Sequence, residues 1–360
     1  MKFKIIFILP SLKAGGAERV LSFLAKSFHD KNNDVKLVVL GFEKDKVFDT
    51  GKLNVVYLNK SRLLLSLRSL FMILSREKPQ IVFGSIGHIN LMLGFFSFYF
   101  KQIKFIGREA SVISKMNEFS TKSSKLYLLL IRFFYPKLAA IVCQSSEMED
   151  DLKRILKKKS NNIKVIHNPL TNPVVKFQPK PFSNIVNFIT VGRLSQEKGH
   201  ERIIEGLSKL TSFDFIYTII GSGPLEIELR GFLKKYGLVD RVRFISYSSE
   251  VLRYLKKSDY FVQGSYVEGF PNTLLESCSV GTPVIAFDCP GGTKDIVINN
   301  VNGFLVSDLY EFIQLINNKE KLKSIKYSEV QKSVSQKFSS EKIVKQYENL
   351  FLSYTTNNFN

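Results

Sequence analysis

The chain is poor in residues that form disulfides or structural metal sites. Its 360 residues include three cysteines and four histidines, with no C-x-x-C, D-x-D or H-E-x-x-H pattern. Cys143, Cys278 and Cys289 are odd in number and lie in apolar stretches. These features argue against disulfides and structural zinc and indicate a reducing cytoplasm. The acidic run at 149–151 is expected to mark the start of a helix, where carboxylates are favourable.

Long apolar segments are also lacking. The run Ile5–Leu9 is shorter than the roughly 7–15 apolar residues of a secretory signal, and Pro10 follows it. Between Lys78 and Lys101 lie 22 residues without Asp, Glu, Lys or Arg, which is long enough to span a bilayer. Polar residues fill the first half of this stretch, so it predicts a buried strand at Ile81–Phe83, a turn and an apolar helix. No transmembrane segment is expected.

Acidic residues are scarce relative to basic ones. The chain has 52 Lys and Arg against 32 Asp and Glu, which gives a net charge of +20 at pH 7. Residues 1–170 hold 29 basic against 13 acidic side chains, whereas residues 171–360 hold 23 against 19. This asymmetry indicates an anionic partner such as nucleic acid, a phosphate-rich ligand or an anionic membrane, or else a solubilising surface.

The length and the pattern of apolar runs predict two domains of the α/β class. A single core rarely grows beyond about 250–300 residues. Short apolar runs alternate with helical patterns such as Glu18–His29, which predicts βαβ units and doubly wound parallel sheets. We expect domains at 1–170 and 171–340, then a helix and tail at 341–360 whose packing partner stays open. The prolines of the expected linker are Pro173, Pro179 and Pro181.

Two glycine turns are expected to follow strands and to face anions. Gly15 and Gly16 open the first predicted helix, where free backbone N–H groups suit an anion. A lone turn of this kind is as often a purely structural tight turn as an anion-binding site. In the second half, Arg193 and Lys198 lie on a glycine-bounded loop, where a guanidinium fork and an ammonium group can bind two phosphates. A solvated surface loop is the alternative.

Further along, a turn and a pair of carboxylates predict the rest of a site. Gly221 and Gly223 follow a strand at the sheet edge where α/β proteins bind ligands. Glu268 and Glu276 are separated by a turn, and Pro271 suits the first turn of a helix that carries Glu276 inward. A buried carboxylate needs a hydroxyl or cation partner from the fold or from a ligand. Pairing with a structural lysine is the alternative for either glutamate.

Six segments follow one another along the chain: GGAERV at 15–20, VGRLSQEKG at 191–199, GSGP at 221–224, EGFPNTLLE at 268–276, GTPVIAFDCPGG at 281–292 and NGFLV at 302–306. In this order they closely resemble the motifs of retaining glycosyltransferase family 4. The resemblance spans most of the chain and is highly specific from 190 to 306. It implies the GT-B fold, in which two Rossmann-like domains face each other across a cleft. It also implies a nucleotide-sugar donor, expected to be a UDP-sugar, that is held mainly by the second domain.

The resemblance also implies roles for individual residues. Arg193 and Lys198 would bind the donor diphosphate, and Glu276 the ribose hydroxyls. Gly15 and Gly16 would close over the phosphate from the other domain. The donor sugar would be held by Glu268 and the backbone of Gly269, Phe270, Pro271 and Asn272, and the donor site would further include Gly221, Gly223 and Leu275.

The first half resembles bacterial N-acetylgalactosaminyl and related transferases that extend lipid-linked glycans, through the segments 79–90 and 107–111. His88 matches a histidine that faces the sugar in those enzymes. We assign it a catalytic role beside Glu268, Arg193 and Lys198, with a hydrogen-bonded core histidine as the alternative. The second segment has Gly-Arg-Glu-Ala in place of Ser-Glu-Arg-Asn, which leaves the acceptor and the sugar open.

The expected function is therefore sugar transfer. The resemblance implies that a hexose or N-acetylhexosamine passes, with retention, to a lipid-linked glycan of a bacterial surface polysaccharide such as O-antigen or capsule. Without a metal motif or cofactor, the diphosphate charge must be met by Arg193, Lys198 and helix N-termini. We expect a cytoplasmic protein, peripheral on the inner face of the membrane, with 63–76 and 115–137 as the docking stretches. Their named apolar residues are Leu64, Leu67, Phe71, Leu128 and Phe133, beside Arg68, Lys122, Lys125 and Arg132.

Two alternatives remain at this point. A nucleotide-sugar epimerase on the same two-domain scaffold would need no second sugar acceptor. A basic nucleic-acid-binding protein would account for the charge, but no aromatic RNP sequence, zinc finger or basic zipper occurs in the chain.

Overall fold

The structure is a computed structural model that describes residues 2–119, 124–157, 162–172 and 185–355. The described residues form two compact units. One lies within Met1–Thr171 and Ser340–Asn360, and the other within Asn172–Ser339. The prolines of the expected linker and Lys122 lie outside the described residues.

The first unit is built on a seven-stranded sheet in which every strand pair is parallel. Central strands are apolar on both faces because helices cover the two sides of a parallel sheet. The strand order is β3-β2-β1-β4-β5-β6-β7. The strands are β1 Lys4–Leu9, β2 Asp34–Val39, β3 Asn54–Tyr57, β4 Ile81–Ser85, β5 Lys104–Arg108, β6 Ala140–Cys143 and β7 Ile163–Val165.

Among the helices of this unit, the first packs its apolar stripe on that sheet. The first begins at Gly16 and buries Val20, Leu21, Leu24 and Phe28, at the spacing of a 3.6-residue turn. The helices are α1 Gly16–Asp30, α2 Leu63–Glu77, α3 Gly87–Phe96, α4 Ile113–Met116, α5 Ser124–Phe134 and α6 Ser146–Leu156.

The structure confirms one expectation for these helices and corrects another. The uncharged stretch after Lys78 forms β4 and α3, so the prediction of a strand followed by an apolar helix is confirmed. The acidic run at 149–151 was predicted to start a helix, but α6 begins at Ser146 after the N-cap Ser145. Only Glu149 of that run lies in the first turn, and Asp151 is buried and accepts a hydrogen bond from Ser114.

The second unit repeats the plan with six parallel strands in the order β10-β9-β8-β11-β12-β13. The strands are β8 Ile185–Val191, β9 Asp214–Ile220, β10 Val242–Ile245, β11 Tyr260–Gln263, β12 Val284–Phe287 and β13 Gly303–Val306. The helices are α7 His200–Leu207, α8 Glu226–Lys235, α9 Val251–Lys257, α10 Asn272–Ser279, α11 Thr293–Ile296, α12 Leu309–Asn317, α13 Lys319–Lys323 and α14 Tyr327–Ser335.

The last helix, α15 at Ser340–Thr355, belongs to the first unit. Its Tyr347 and Phe351 rings lie 5.4 and 5.7 Å from the ring of Phe83 on β4, and Phe351 is 5.0 Å from Phe28 of α1. Aromatic pairs at this separation add to the stability gained from burial alone. The packing partner of the tail, which the sequence left open, is thus the core of the first unit.

In both units the strand order reverses once along the sheet, between β1 and β4 and between β8 and β11. Open α/β sheets bind ligands at such switch points, outside the carboxyl ends of the strands. The predicted α/β class with doubly wound parallel sheets is confirmed. Within the described ranges, no helix combines the length and apolar content needed to cross a bilayer.

Candidate functional site

The first two glycine turns of the second unit lie against each other at the carboxyl ends of β8 and β9. A Cβ atom added to Gly221 would lie 1.8 Å from the carbonyl oxygen of Gly192. The amide of Leu194 donates to the carbonyl of Ser222 at 2.9 Å. Glycine is therefore required at 221 because the backbones of the two loops are in contact.

Arg193 is held on its loop by two neighbours that the sequence analysis did not single out. Its Nη2 donates to Glu197 Oε1 at 2.6 Å and its Nε to Ser195 Oγ at 3.2 Å. Burial would raise the pKa of Glu197, but hydrogen bonds from Ser195 and the backbone, together with Arg193, outweigh it and lower the pKa. The carboxylate therefore stays charged and fixes a guanidinium whose side chain is still 64% exposed.

Lys198 and Glu268, which are 70 residues apart in the sequence, meet at the edge of this sheet. Lys198 Nζ donates to Glu268 Oε1 at 2.7 Å, and Ser265 Oγ donates to the same oxygen at 2.5 Å. The two side chains are 26% and 10% exposed. Water screens the attraction within such a pair less than it screens a surface ion pair. The fold thus joins two residues that were expected to serve the diphosphate and the sugar.

The loop after Glu268 is shaped by a close contact with the loop after β12. Gly291 has φ of 125°, and a Cβ atom there would lie 2.0 Å from the carbonyl oxygen of Glu268. The amide of Gly292 donates to the carbonyl of Gly269 at 2.8 Å, and the amide of Glu268 to that of Pro290 at 2.9 Å. These bonds hold the backbone that the sequence analysis assigned to the donor sugar.

The residues after that loop are mostly buried. Phe270 is 6% exposed and its ring lies 5.5 Å from that of Phe338. Pro271 is the N-cap of α10, Asn272 begins the helix, and Leu275 is fully covered. Pro271 was expected in the first turn of this helix, and the structure places it one residue earlier, at the N-cap.

Glu276 is 3% exposed, which confirms that α10 carries this carboxylate inward. Asn172 Nδ2 donates to Glu276 Oε1 at 3.3 Å. An amide satisfies one carboxylate oxygen without neutralising its charge. This hydrogen bond orients the carboxylate within the second unit.

His200, the first residue of α7, was also missed by the sequence analysis. It is 1% exposed and its Nε2 lies 3.0 Å from the carbonyl oxygen of Arg193, so a neutral ring donates from Nε2. Burial lowers the pKa of His200. In the sequence, the only feature that marks His200 is its position directly after Gly199. In the structure, this glycine has a left-handed φ of 54°.

In the first unit, Gly15 and Gly16 form the expected turn after β1. Gly15 is the N-cap of α1, and a Cβ atom there would lie 2.2 Å from Oε2 of Glu18. Glu18 thus folds back over the start of its own helix. Burial is the main reason that its pKa is raised, although its own backbone N–H and Arg108 act in the opposite direction.

His88 lies on the first turn of α3, at the carboxyl end of β4, and is solvent-exposed. The core alternative for this histidine is therefore wrong. The protein around the ring lowers its pKa through desolvation. Ile86, the N-cap residue, has φ of 82°. A β-branched residue in this region is strained, and such strain concentrates at functional sites.

Beside His88, the segment 107–110 contributes buried charged groups and not an exposed surface. Arg108 is 1% exposed and donates to Ser85 Oγ and to Asn168 Oδ1. Burial raises the pKa of Glu109, and Tyr135 donates a 2.6 Å hydrogen bond to its Oε2. Arg108 and Glu109, two of the four residues that depart from the family pattern, therefore form buried contacts at the carboxyl end of β5.

The described residues offer neither a metal-binding cluster nor an exposed thiol. In the described portion of the chain, no group of three or more His, Cys, Asp or Glu side chains is placed to hold a metal ion. Cys143, Cys278 and Cys289 are buried thiols, and burial raises the pKa of each.

Comparison with known proteins identifies the family of this site. A model of the family described as Glycosyltransferase Family 4 matches residues 14–171, and one described as Glycosyl transferases group 1 matches residues 175–329. The chain belongs to glycosyltransferase family 4. This membership favours sugar transfer over the epimerase and nucleic-acid-binding alternatives.

Relatives of this glycosyltransferase span nearly its full length. An uncharacterized glycosyltransferase of Haemophilus influenzae is 25% identical over 96% of the chain and 98% of its own length. A Campylobacter jejuni protein, N-acetylgalactosamine-N,N'-diacetylbacillosaminyl-diphospho-undecaprenol 4-alpha-N-acetylgalactosaminyltransferase, is 24% identical over 95% of this chain and 97% of its own.

Among solved structures, Anabaena Alr3699/HepE in complex with UDP-glucose matches with a TM-score of 0.81 at 19% identity, covering 98% of this chain and 100% of that one. The lipopolysaccharide outer core galactosyltransferase WaaB matches with a TM-score of 0.76 at 19% identity, over 98% and 99% of the two chains. Identities this low speak for the fold alone. The two Rossmann-like units are those of the GT-B fold, as the motifs implied.

Proposed function

We propose that this glycosyltransferase transfers a hexose or N-acetylhexosamine, with retention and without a metal, from a UDP-sugar to a lipid-linked glycan of a bacterial surface polysaccharide. The observation that carries the proposal is the meeting of the Arg193–Lys198 loop with Glu268 at the carboxyl edge of the second sheet. Cations for a diphosphate and a carboxylate for sugar hydroxyls lie within one hydrogen bond of each other there.

The second unit supplies the donor site in this proposal. Arg193 and Lys198 bind the diphosphate, and the shift of Lys198 from Glu268 to phosphate frees that carboxylate to accept hydrogen bonds from the sugar. Glu276 accepts hydrogen bonds from the ribose hydroxyls, as the family resemblance implies, and the buried carboxylate on α10 supports this role because a carboxylate accepts hydrogen bonds from hydroxyls. A uridine nucleotide is supported by the structural neighbour in complex with UDP-glucose.

Retention is proposed from the family resemblance. The acceptor oxygen attacks C1 on the face that the diphosphate leaves, the bond from C1 to the phosphate oxygen breaks, and that oxygen takes the acceptor proton. Arg193 and Lys198 stabilise the negative charge that grows on the leaving diphosphate, so no metal is needed for this step. Gly15, Gly16 and His88 keep their predicted roles toward the phosphate and the sugar.

The acceptor is proposed from the relatives and not from the fold. The Campylobacter jejuni relative is named for a diphospho-undecaprenol acceptor. A Salmonella typhimurium relative, 31% identical over 41% of this chain, is named lipopolysaccharide 1,6-galactosyltransferase. Both names describe transfer to lipid-anchored glycans, which supports an acceptor of the same class here.

An exposed apolar stripe on the first unit supports binding of this protein to a membrane surface. On α5 the exposed residues recur at the spacing of one helix face, flanked by Lys125 and Arg132. An uncovered stripe of this kind is typical of helices that lie in the membrane interface. Its members are Leu126, Leu129, Leu130 and Phe133, which are 66%, 58%, 36% and 57% exposed.

The stripe continues over α2 and the turn after α3. Leu64 and Phe71 are exposed as the docking prediction requires, whereas Leu67 and Leu128 are half-buried. Aromatic contacts join the three segments: the ring of Phe71 lies 4.9 Å from that of Phe100, and Phe98 stacks on Phe133 at 6.0 Å. Together with the positive charge of residues 1–170, this face fits an anionic inner-leaflet surface.

The donor assignment is tested with a panel of nucleotide sugars in a thermal-shift assay. The panel contains UDP-glucose, UDP-galactose, UDP-N-acetylglucosamine, UDP-N-acetylgalactosamine, GDP-mannose and ADP-glucose. A donor at 100 times its Kd adds about 2.7 kcal/mol to the free energy of unfolding. We expect one or more UDP-sugars to raise the melting temperature in EDTA. A shift with none of the six, or only with GDP-mannose or ADP-glucose, would remove the proposed donor.

A further inference from the structure

Arg202 on the first turn of α7 reaches across to the loop that follows β11. Its Nε donates to the carbonyl of Gly264 at 2.8 Å, and its Nη2 donates to the carbonyl of Ser265. The guanidinium carbon lies 4.1 Å from the ring centroid of Tyr266 and 3.9 Å from that of Phe287. The planar group is thus fixed at its edge by two carbonyls and on both faces by aromatic rings.

The loop that Arg202 holds leads directly to Glu268. The carbonyl of Ser265 accepts from Arg202, and the hydroxyl of the same serine donates to Glu268 Oε1 at 2.5 Å. Lys198 donates to that oxygen as well. One residue therefore links Arg202 to the carboxylate of the proposed donor site.

The two loops are also in direct backbone contact at this point. A Cβ atom on Gly199 would lie 1.9 Å from the carbonyl oxygen of Gly264, and one on Gly264 would lie 2.4 Å from that of Gly199. The amide of Tyr266 donates to the carbonyl of Glu197 at 2.8 Å. Because α7 begins immediately after Gly199, Arg202 spans the same junction from the helix side.

We propose that Arg202 is a positioning residue for sugar transfer: it sets the place of Glu268 relative to Lys198 by fixing the backbone of Gly264 and Ser265. It acts through Ser265 and Glu268 and itself holds neither diphosphate nor sugar. The inference rests on the proposed donor site. A lysine at 202 would keep the charge, but an ammonium group cannot serve two carbonyls in one plane while it lies between two rings.

The first test compares binding of UDP with binding of the four UDP-sugars of the panel, by calorimetry, in the wild type, Arg202→Lys and Arg202→Ala. Because Glu268 is assigned to the sugar, we expect at least a tenfold rise in the Kd of the bound UDP-sugar and less than a threefold rise in the Kd of UDP. A merely structural loss would lower the active fraction and leave both Kd values unchanged. Unchanged UDP-sugar affinity, or equal weakening of both ligands, would overturn the proposal.

The matched control is Arg230→Lys on α8 of the same unit. Arg230 also lies over an aromatic ring, 4.3 Å from the centroid of Phe244, and pairs with Glu226 at 2.9 Å. Among the described residues, no contact joins Arg230 to the loops around Glu268. We expect this variant to bind UDP and the UDP-sugar as the wild type does. Equal weakening in Arg230→Lys would assign the effect to loss of any stacked arginine and count against Arg202.

A second measurement does not depend on any ligand. Amide hydrogen exchange of residues 264–270 reports whether Arg202 fixes this loop. We expect exchange there to be at least tenfold faster in Arg202→Ala and Arg202→Lys than in the wild type and in Arg230→Lys. Unchanged exchange would overturn the proposal even with the donor site intact. If the wild type bound no nucleotide sugar, the proposed function would fail, and the exchange data would still decide the role of Arg202.

Discussion

Glu276 is a buried carboxylate that we assign to the donor site. Its carboxylate is 3% exposed, and an amide is its hydrogen-bond partner from Asn172. Charge-assisted hydrogen bonds contribute about 1.5–3 kcal/mol. We therefore expect Glu276→Gln to weaken binding of the UDP-sugar at least tenfold, as measured by calorimetry. Glu320→Gln, an exposed position on α13, serves as control and should bind as the wild type does. An unchanged Kd in a folded Glu276→Gln protein would place this residue outside the site.

His200 gives the donor loop a defined response to pH. Burial holds its pKa below the unfolded value of about 6.5, so below that pH the unfolded chain binds more protons than the folded one. The free energy of unfolding should therefore fall as pH drops, by at most about 1 kcal/mol between pH 6.5 and 5.5 from this group. Urea unfolding of His200→Gln should show a smaller loss over that interval. An identical pH dependence in both proteins would mean that folding does not shift the pKa of His200.

At the residue scale, the sequence identified candidate side chains for the donor site but not which of them contact each other. Arg193, Lys198, Glu268 and Glu276 were found from glycine-bounded loops and family motifs. That Lys198 pairs with Glu268 depends on β8 and β11 being neighbours in the sheet, a fact of topology. Arg202 carried no motif signal, because its partners are backbone carbonyls that any sequence has.

At the scale of elements, contacts between loop backbones set the geometry of the donor site. Glycines occupy the positions where two backbones touch. Gly291 combines a left-handed φ with a Cβ position 2.0 Å from a carbonyl oxygen, whereas Gly231 in α8 has open space around it. We expect Gly291→Ala to lower the free energy of unfolding by about 1–3 kcal/mol, because strain and overlap must both be relieved. Gly231→Ala should raise it by about 0.5–1 kcal/mol, as glycine does poorly inside a helix. Denaturant unfolding measures both. Equal effects of the two substitutions would contradict the tight loop contact.

Elements with strong apolar patterns were predictable, and weak or non-local ones were not. The uncharged stretch after Lys78 gave a strand and a helix because its polar residues fall at the turn. The short strand β13, Gly303–Val306, was noticed only as part of a family motif, since three apolar residues cannot be told from a buried turn. The sequence showed that 343–351 has helical spacing, but the return of α15 to the first core depends on Phe28 and Phe83, which are remote in sequence.

At the scale of the whole molecule, the charge asymmetry and the exposed stripe on α2 and α5 belong to the same unit. We expect the wild type to co-sediment with phosphatidylglycerol vesicles more than with phosphatidylcholine vesicles, and less at high salt, because Lys and Arg near an anionic surface contribute about 1 kcal/mol each. Changing Leu126, Leu129 and Phe133 to Gln should reduce this binding at least tenfold.

The control for that measurement is Ile227→Gln, since Ile227 is 87% exposed on the second unit. It should leave vesicle binding as in the wild type. Equal partitioning of the wild type to both lipids, or none to either, would contradict docking through the basic first unit.

The proposed reaction is metal-independent, retaining transfer of a sugar to a lipid-linked glycan. It is tested by NMR of the product formed from the UDP-sugar selected by the panel and a polyprenyl-diphosphate-linked glycan, with EDTA present. We expect a new glycosidic bond with the anomeric configuration of the donor, formed at the same rate with and without EDTA. Inverted configuration, an epimerised donor without transfer, or turnover that is lost in EDTA and restored by magnesium or manganese would contradict it.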